Sequence, residues 1–91
     1  MTPLLQAIVT GDLALVARLL RDGADVNAAT HDGWTPLMKA CLWERVELVA
    51  LLLHHGASTD AQTVDGWNAL TIARQKGNDD IVRILIRHMP S

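Results

Sequence analysis

The sequence predicts an all-α solenoid, a row of short helix-turn-helix units joined by β-hairpin-like loops. Three observations predict it. Residues recur with a period of 33, apolar residues within each period fall three and four apart, and Asp-Gly and Gly-Ala pairs return at fixed places between the apolar stretches. Gly33, Trp34, Leu37 and Ala40 come back as Gly66, Trp67, Leu70 and Ala73, and Thr35-Pro36 repeats Thr2-Pro3. Val16, Val49 and Val82 align, as do Leu19, Leu52 and Leu85. The units run over about 1–31, 32–64 and 65–91 of one domain, 1–91, because a chain of this length has surface enough for only one core.

Each element follows from local chemistry. Thr2-Pro3 opens the first helix, with the threonine hydroxyl free to cap and proline at a position whose missing N–H costs nothing. Gly11 reverses the chain into a second helix, which ends at Gly23. Turn residues around Asp32-Gly33 follow, and Thr35-Pro36 begins the next unit. From Pro36 to Trp43 and from Val46 to His54, the residues Leu37, Ala40, Cys41, Leu48, Val49, Leu51 and Leu52 keep helical spacing. A turn at Asp65-Gly66 leads to the third pair of helices, with Gly77 between them. At about ten residues or fewer, such helices must stack to hide their apolar faces.

Composition narrows the function classes. Hydrophobic residues make up 49% and charged residues 20%, which suits a folded helical chain. A net charge of −2 offers nucleic acid no basic footprint. The longest apolar run, Leu48 to Leu53, is far too short to cross a membrane, and residues 1–7 show no secretory pattern. The lone Cys41 has no internal disulfide partner, which suits a reducing compartment and an intracellular location, cytoplasmic or nuclear.

Catalytic patterns are missing. His31, His54, His55 and His88 have neither the mutual spacing nor the neighbouring carboxylate of a metal site, and one cysteine cannot complete one. His54 and His55 close a helix, where they favour its C-terminal dipole, and Asp79-Asp80 suits a first helical turn. No enzyme activity and no cofactor are expected.

The run Asp32-Gly33-Trp34-Thr35-Pro36-Leu37-Met38-Lys39-Ala40, continued by Val49 to Ala57, resembles the ankyrin repeat, and Gly23-Ala24-Asp25-Val26-Asn27-Ala28 is similar to its hairpin motif. The resemblance covers essentially the whole chain. It implies an ankyrin repeat solenoid that binds a partner protein on a concave face made by the hairpin tips and the flank of each first helix. Carried over by position, the contact set is Trp34, Trp43, Trp67, Arg45, His31, Asp32, Leu42, Asp65 and Lys76, with Trp34 and Trp67 side by side and Trp43 close behind. Trp34 and Trp67 could equally be packing residues that cover their hairpins. Asn27 is similar to a hairpin asparagine that asparaginyl hydroxylases modify.

Four departures from the family pattern carry expectations. Met38 and Thr71 stand where the family has His, so hydrogen bonds to the turn should be lost. Glu44 takes the place of Gly11 and Gly77 and would cost about 1 kcal/mol in a left-handed conformation. Asn68-Ala69 in place of Thr-Pro should weaken the start of the third unit's first helix. Arg18 at one end, and Arg74, Gln75, Lys76 and Arg83 at the other, should present polar outer faces, so the chain reads as a nearly complete stack lacking only its first hairpin. The alternatives are a fragment of a longer array, self-association of a monomer through Ile84, Ile86 and Met89, and a designed scaffold without a native partner.

Overall fold

A computed structural model describes residues 2–89. Six helices run in order: α1 (Pro3–Thr10), α2 (Leu13–Arg21), α3 (Pro36–Leu42), α4 (Val46–His54), α5 (Ala69–Lys76) and α6 (Asp79–His88). They form three helix pairs in two rows. The first helices, α1, α3 and α5, pack successively on one another, and α2, α4 and α6 do the same behind them. No strand occurs among the described residues, so the loops are hairpin-like in their hydrogen bonding only.

The core lies between the rows. Ile8, Val16, Cys41, Val49, Leu52, Ile81 and Leu85 are fully buried. Burial compared at equivalent positions shows which way each side chain points. Ile8 and Cys41 are fully buried, and the same position in the third unit is the exposed Arg74, as expected of a position that a following unit would cover. Gln75, Lys76 and Arg83 are exposed as expected. At the opposite face Arg18 is exposed and reaches Asp22 at 3.9 Å. That face is less polar than Arg18 suggests, because Leu13 and Leu15 are 39% and 38% exposed where Leu48 and Ile81, the equivalents of Leu15, are buried.

Two expected weaknesses are repaired locally. The Met38 sulfur accepts a bond from the Thr35 N–H at 3.5 Å, while the Thr35 hydroxyl accepts from the Met38 N–H at 3.2 Å. The cap of α3 is therefore closed reciprocally without the family's histidine. At α5, Asn68 Oδ1 accepts from the Thr71 N–H and Thr71 Oγ1 accepts from the Asn68 N–H, both at 2.9 Å. The start of α5 is thus well capped and not weakened by the loss of Thr-Pro, since asparagine is as good a cap as threonine.

Glu44 does adopt the left-handed conformation, at φ 56°. Its only side-chain link among the described residues is an exposed contact from Asn78 Nδ2 at 3.4 Å. Glu44→Gly should therefore stabilise the chain by roughly 0.5–1 kcal/mol, the relieved strain being partly offset by the freer unfolded glycine. The check is a higher urea midpoint at unchanged slope.

Cys41 is buried in α3, and desolvation pushes its thiol from the ordinary 9.0 up to about 12. The unfolded chain releases this proton first as pH rises, so the stability Cys41 contributes is complete below pH 9 and declines between pH 9 and about 12. In Cys41→Ala that component of the alkaline decline should disappear. A thiol reagent at pH 8 should label the native protein only as fast as it opens.

Candidate protein-binding surface

The surface is built on two fingers, the loops that precede α3 and α5. In the first, Thr30 N–H donates to Trp34 O at 2.9 Å and Gly33 N–H returns to Thr30 O at 2.9 Å. The Thr30 hydroxyl accepts from the Trp34 N–H at 3.1 Å. The second repeats this with Thr63, Gly66 and Trp67. These threonines fix both tryptophans, and their 33-residue spacing was visible in the sequence although their role was not. The fingers are tied together by Val64 N–H donating to Asp32 O at 3.0 Å.

Asn27 adds a second tie. Its Oδ1 accepts from the Ser58 N–H at 2.8 Å and its Nδ2 lies 3.5 Å from Gly56 O, so it joins the first unit's loop to the second's. Asp25 Oδ1 holds the Asn27 N–H at 2.9 Å.

Trp34 and Trp67 do come together. With Leu42, Ile72, Gln75 and Lys76 they line a groove of about 180 Å³. Trp67 is 39% exposed, while Trp34 is half-buried with the Lys39 ammonium 4.9 Å from its ring centroid. On its other side Trp34 borders a wider hollow of about 660 Å³, lined also by Thr2, Leu5, Ala29, His31, Asp32 and Lys39. His31 and Asp32 are exposed and face each other at 3.1 Å, and Asp65 is exposed at the second tip.

The tip and helix residues thus divide into those that share the groove and those that do not. Trp43 is not among the residues that share the groove. It follows the end of α3, half-exposed, and lines neither the groove nor the hollow. Arg45 is not free for a partner. Its Nη2 donates to Val9 O at 2.9 Å, and its guanidinium lies where a Cβ on Gly11 would be only 3.0 Å away.

Arg45 thereby caps the end of α1 from the next unit, while its own helix α4 lacks the side-chain cap that Asp12 and Asn78 give α2 and α6. Its Nε is buried without a partner among the described residues. Arg45→Ala should cost about 1.5–3 kcal/mol, as expected for a hydrogen bond from a charged donor. Arg45→Lys should rescue little, since an ammonium cannot lie flat on Gly11 and reach Val9. Thermal melts of both variants measure this.

Nothing among the described residues gathers three or more His, Cys, Asp or Glu side chains in a metal-binding arrangement. No helix among them is long and apolar enough to cross a membrane.

A row of helix pairs that share one core, each pair packed on the next, with fingers tied edge to edge, defines a repeat scaffold. The sequence comparisons give the family. A model described as ankyrin repeats (3 copies) matches residues 1–63, and one described as ankyrin repeat matches residues 65–90. The chain belongs to the ankyrin repeat family, whose members generally serve as protein-protein interaction modules. Among solved structures it is similar to the human ASB11 ankyrin repeat domain, with 31% identity and a TM-score of 0.91 over 97% of this chain. It spans 40% of that chain's length. No relative was found among curated proteins.

Proposed function

We propose that the three units, 1–31, 32–64 and 65–91, act as one non-catalytic body that binds a partner protein through its concave side. The contact residues are Trp34 and Trp67, with Leu42, Lys76 and the tip residues His31, Asp32 and Asp65 around them. The observation that carries this is that two tryptophans from successive units wall one groove, although each alone could be a hairpin cover. Partly exposed Trp is among the residue types richest in binding energy at protein interfaces. Trp43, half-exposed and outside the groove's lining, serves as a peripheral contact. Arg45 acts indirectly, by holding α1 against the second unit. An intracellular setting, cytoplasmic or nuclear, agrees with a buried and unpaired cysteine, and neither nucleic acid nor a membrane is the partner.

The test is a photo-reactive residue placed singly at Trp67, Gln75, Leu15 and His54, followed by irradiation in lysate. Cross-links to protein from positions 67 and 75 are expected. Cross-links confined to positions 15 and 54 would sink the concave-face reading. Self-association has one observation in its favour, since Ile86 is 51% exposed where its equivalents Leu20 and Leu53 are buried. Sedimentation of wild type and Ile86→Lys over a wide concentration range decides it, and a monomer throughout removes it.

A further inference from the structure

The groove between the two tryptophans has a chemistry that selects its occupant. Its volume of about 180 Å³ falls below the roughly 300–1,000 Å³ typical of small-molecule sites. It has room for one side chain. Two indoles form its walls, the buried Ile72 and half-buried Leu42 complete its apolar lining, and no acidic side chain lines it.

The charges around it have one sign. Lys76 is the only ionisable residue of the lining, is exposed, and forms no ion pair among the described residues. A second ammonium, that of Lys39, lies 4.9 Å from the Trp34 ring centroid but lines the hollow and not the groove. A cationic anchor, which two indoles could otherwise attract, would meet Lys76 at the groove itself. Asp32 at the first tip faces His31, and neither Asp32 nor Asp65 reaches the lining. The two tip carboxylates therefore lie at the fingers, and the cation that lines the groove, Lys76, lies on α5.

We propose that the groove holds one aliphatic side chain, of leucine or methionine size, from a partner segment that carries a carboxylate on the α5 side of this anchor, where it meets Lys76. This rests on the concave-face reading and gives it a partner class, an acidic peptide with an apolar anchor.

The probe is a displayed library of random 12-residue peptides selected on the immobilised domain, with counterparts carrying Trp67→Ala or Lys76→Glu tested beside it. Circular dichroism melts confirm that each variant is folded, and Lys76, being exposed, can be reversed without touching the core. Enriched peptides should share an aliphatic residue within a few positions of Asp or Glu. They should bind Lys76→Glu at least about tenfold more weakly, and replacing the peptide's acid with lysine should restore binding to that variant. Replacing the aliphatic residue with alanine should weaken binding to wild type but do little further harm in Trp67→Ala.

Peptides with a basic residue beside the anchor, or acidic peptides indifferent to both variants, would overturn the proposal. If such peptides still cross-link from position 67 or 75, the concave-face reading survives the loss of the groove assignment. Absence of any enrichment also refutes the groove assignment, and absence of protein cross-links from positions 67 and 75 as well removes both readings.

Discussion

Gly33→Ala is expected to cost about 3–5 kcal/mol, and Gly66→Ala only about 1–2 kcal/mol. The two glycines stand at equivalent positions in successive fingers, and both have φ of 88°. The strain of placing a side chain on that backbone is therefore common to both. What differs is the neighbour. A Cβ on Gly33 would lie 2.9 Å from Thr63 Cα and 3.0 Å from Gln62 O, whereas one on Gly66 meets nothing within 4 Å. Both obstacles at Gly33 are backbone atoms, so no rotamer change can clear them.

Relief requires the fingers to part, which breaks the bond from Val64 N–H to Asp32 O and draws Trp34 away from Trp67. The same substitution should thus lower stability and open the groove. At about 4–8 °C per kcal/mol for a domain of this size, the two variants should be separable in a single melting experiment. Equal losses would show that the finger contact yields easily, and the close approach would then be no constraint on the stack.

What the sequence made legible is whatever depends on local pattern. Thr35-Pro36 and Asp32-Gly33 state a helix start and a turn through their own conformational preferences, and the period of 33 repeats each signal once, at Thr2-Pro3 and at Asp65-Gly66. The replacement of glycine by Glu44 was readable as left-handed because Gly11 and Gly77 flank it in register. The substitutes at the caps were not readable. Thioether capping by Met38 and the reciprocal Asn68–Thr71 bonds depend on rotamers that the expected residue types do not share.

Contacts between units were harder still. Arg45 occupies a position that usually faces solvent or caps its own helix, yet it crosses to Val9, 36 residues earlier. A residue-type argument sees a free guanidinium there. Trp43 and Trp34 lie close in sequence, but Trp34 sits on a finger and Trp43 at the far end of α3, so a shared aromatic character did not make a shared site. Lys76 and Leu42 meet in one groove because successive units stack with α3 beside α5, a relation no single unit contains.

Leu52→Ala should be the most damaging core truncation in the chain, at about 3–5 kcal/mol, against about 2 kcal/mol for Leu20→Ala. Both leucines come from second helices. Leu52 is completely buried in α4, which packs on α2, α3 and α6, whereas Leu20 is 8% exposed in α2, which packs chiefly on α1 and α4. In a stack whose units touch only their neighbours, a lesion in the middle unit weakens two interfaces and a lesion in the first unit weakens one. The expected consequences differ in kind as well as size. Leu20→Ala should loosen α1 and α2 while the second and third units stay paired, which native-state hydrogen exchange would show as faster exchange confined to residues 2–28. The groove, built wholly from the second and third units, should then keep its affinity. Leu52→Ala should instead speed exchange in all six helices together and weaken binding in proportion to the unfolded fraction. If Leu20→Ala proved as global as Leu52→Ala, the three units would be coupled too tightly for the nearest-neighbour description, and the site could not be treated as the property of two units alone.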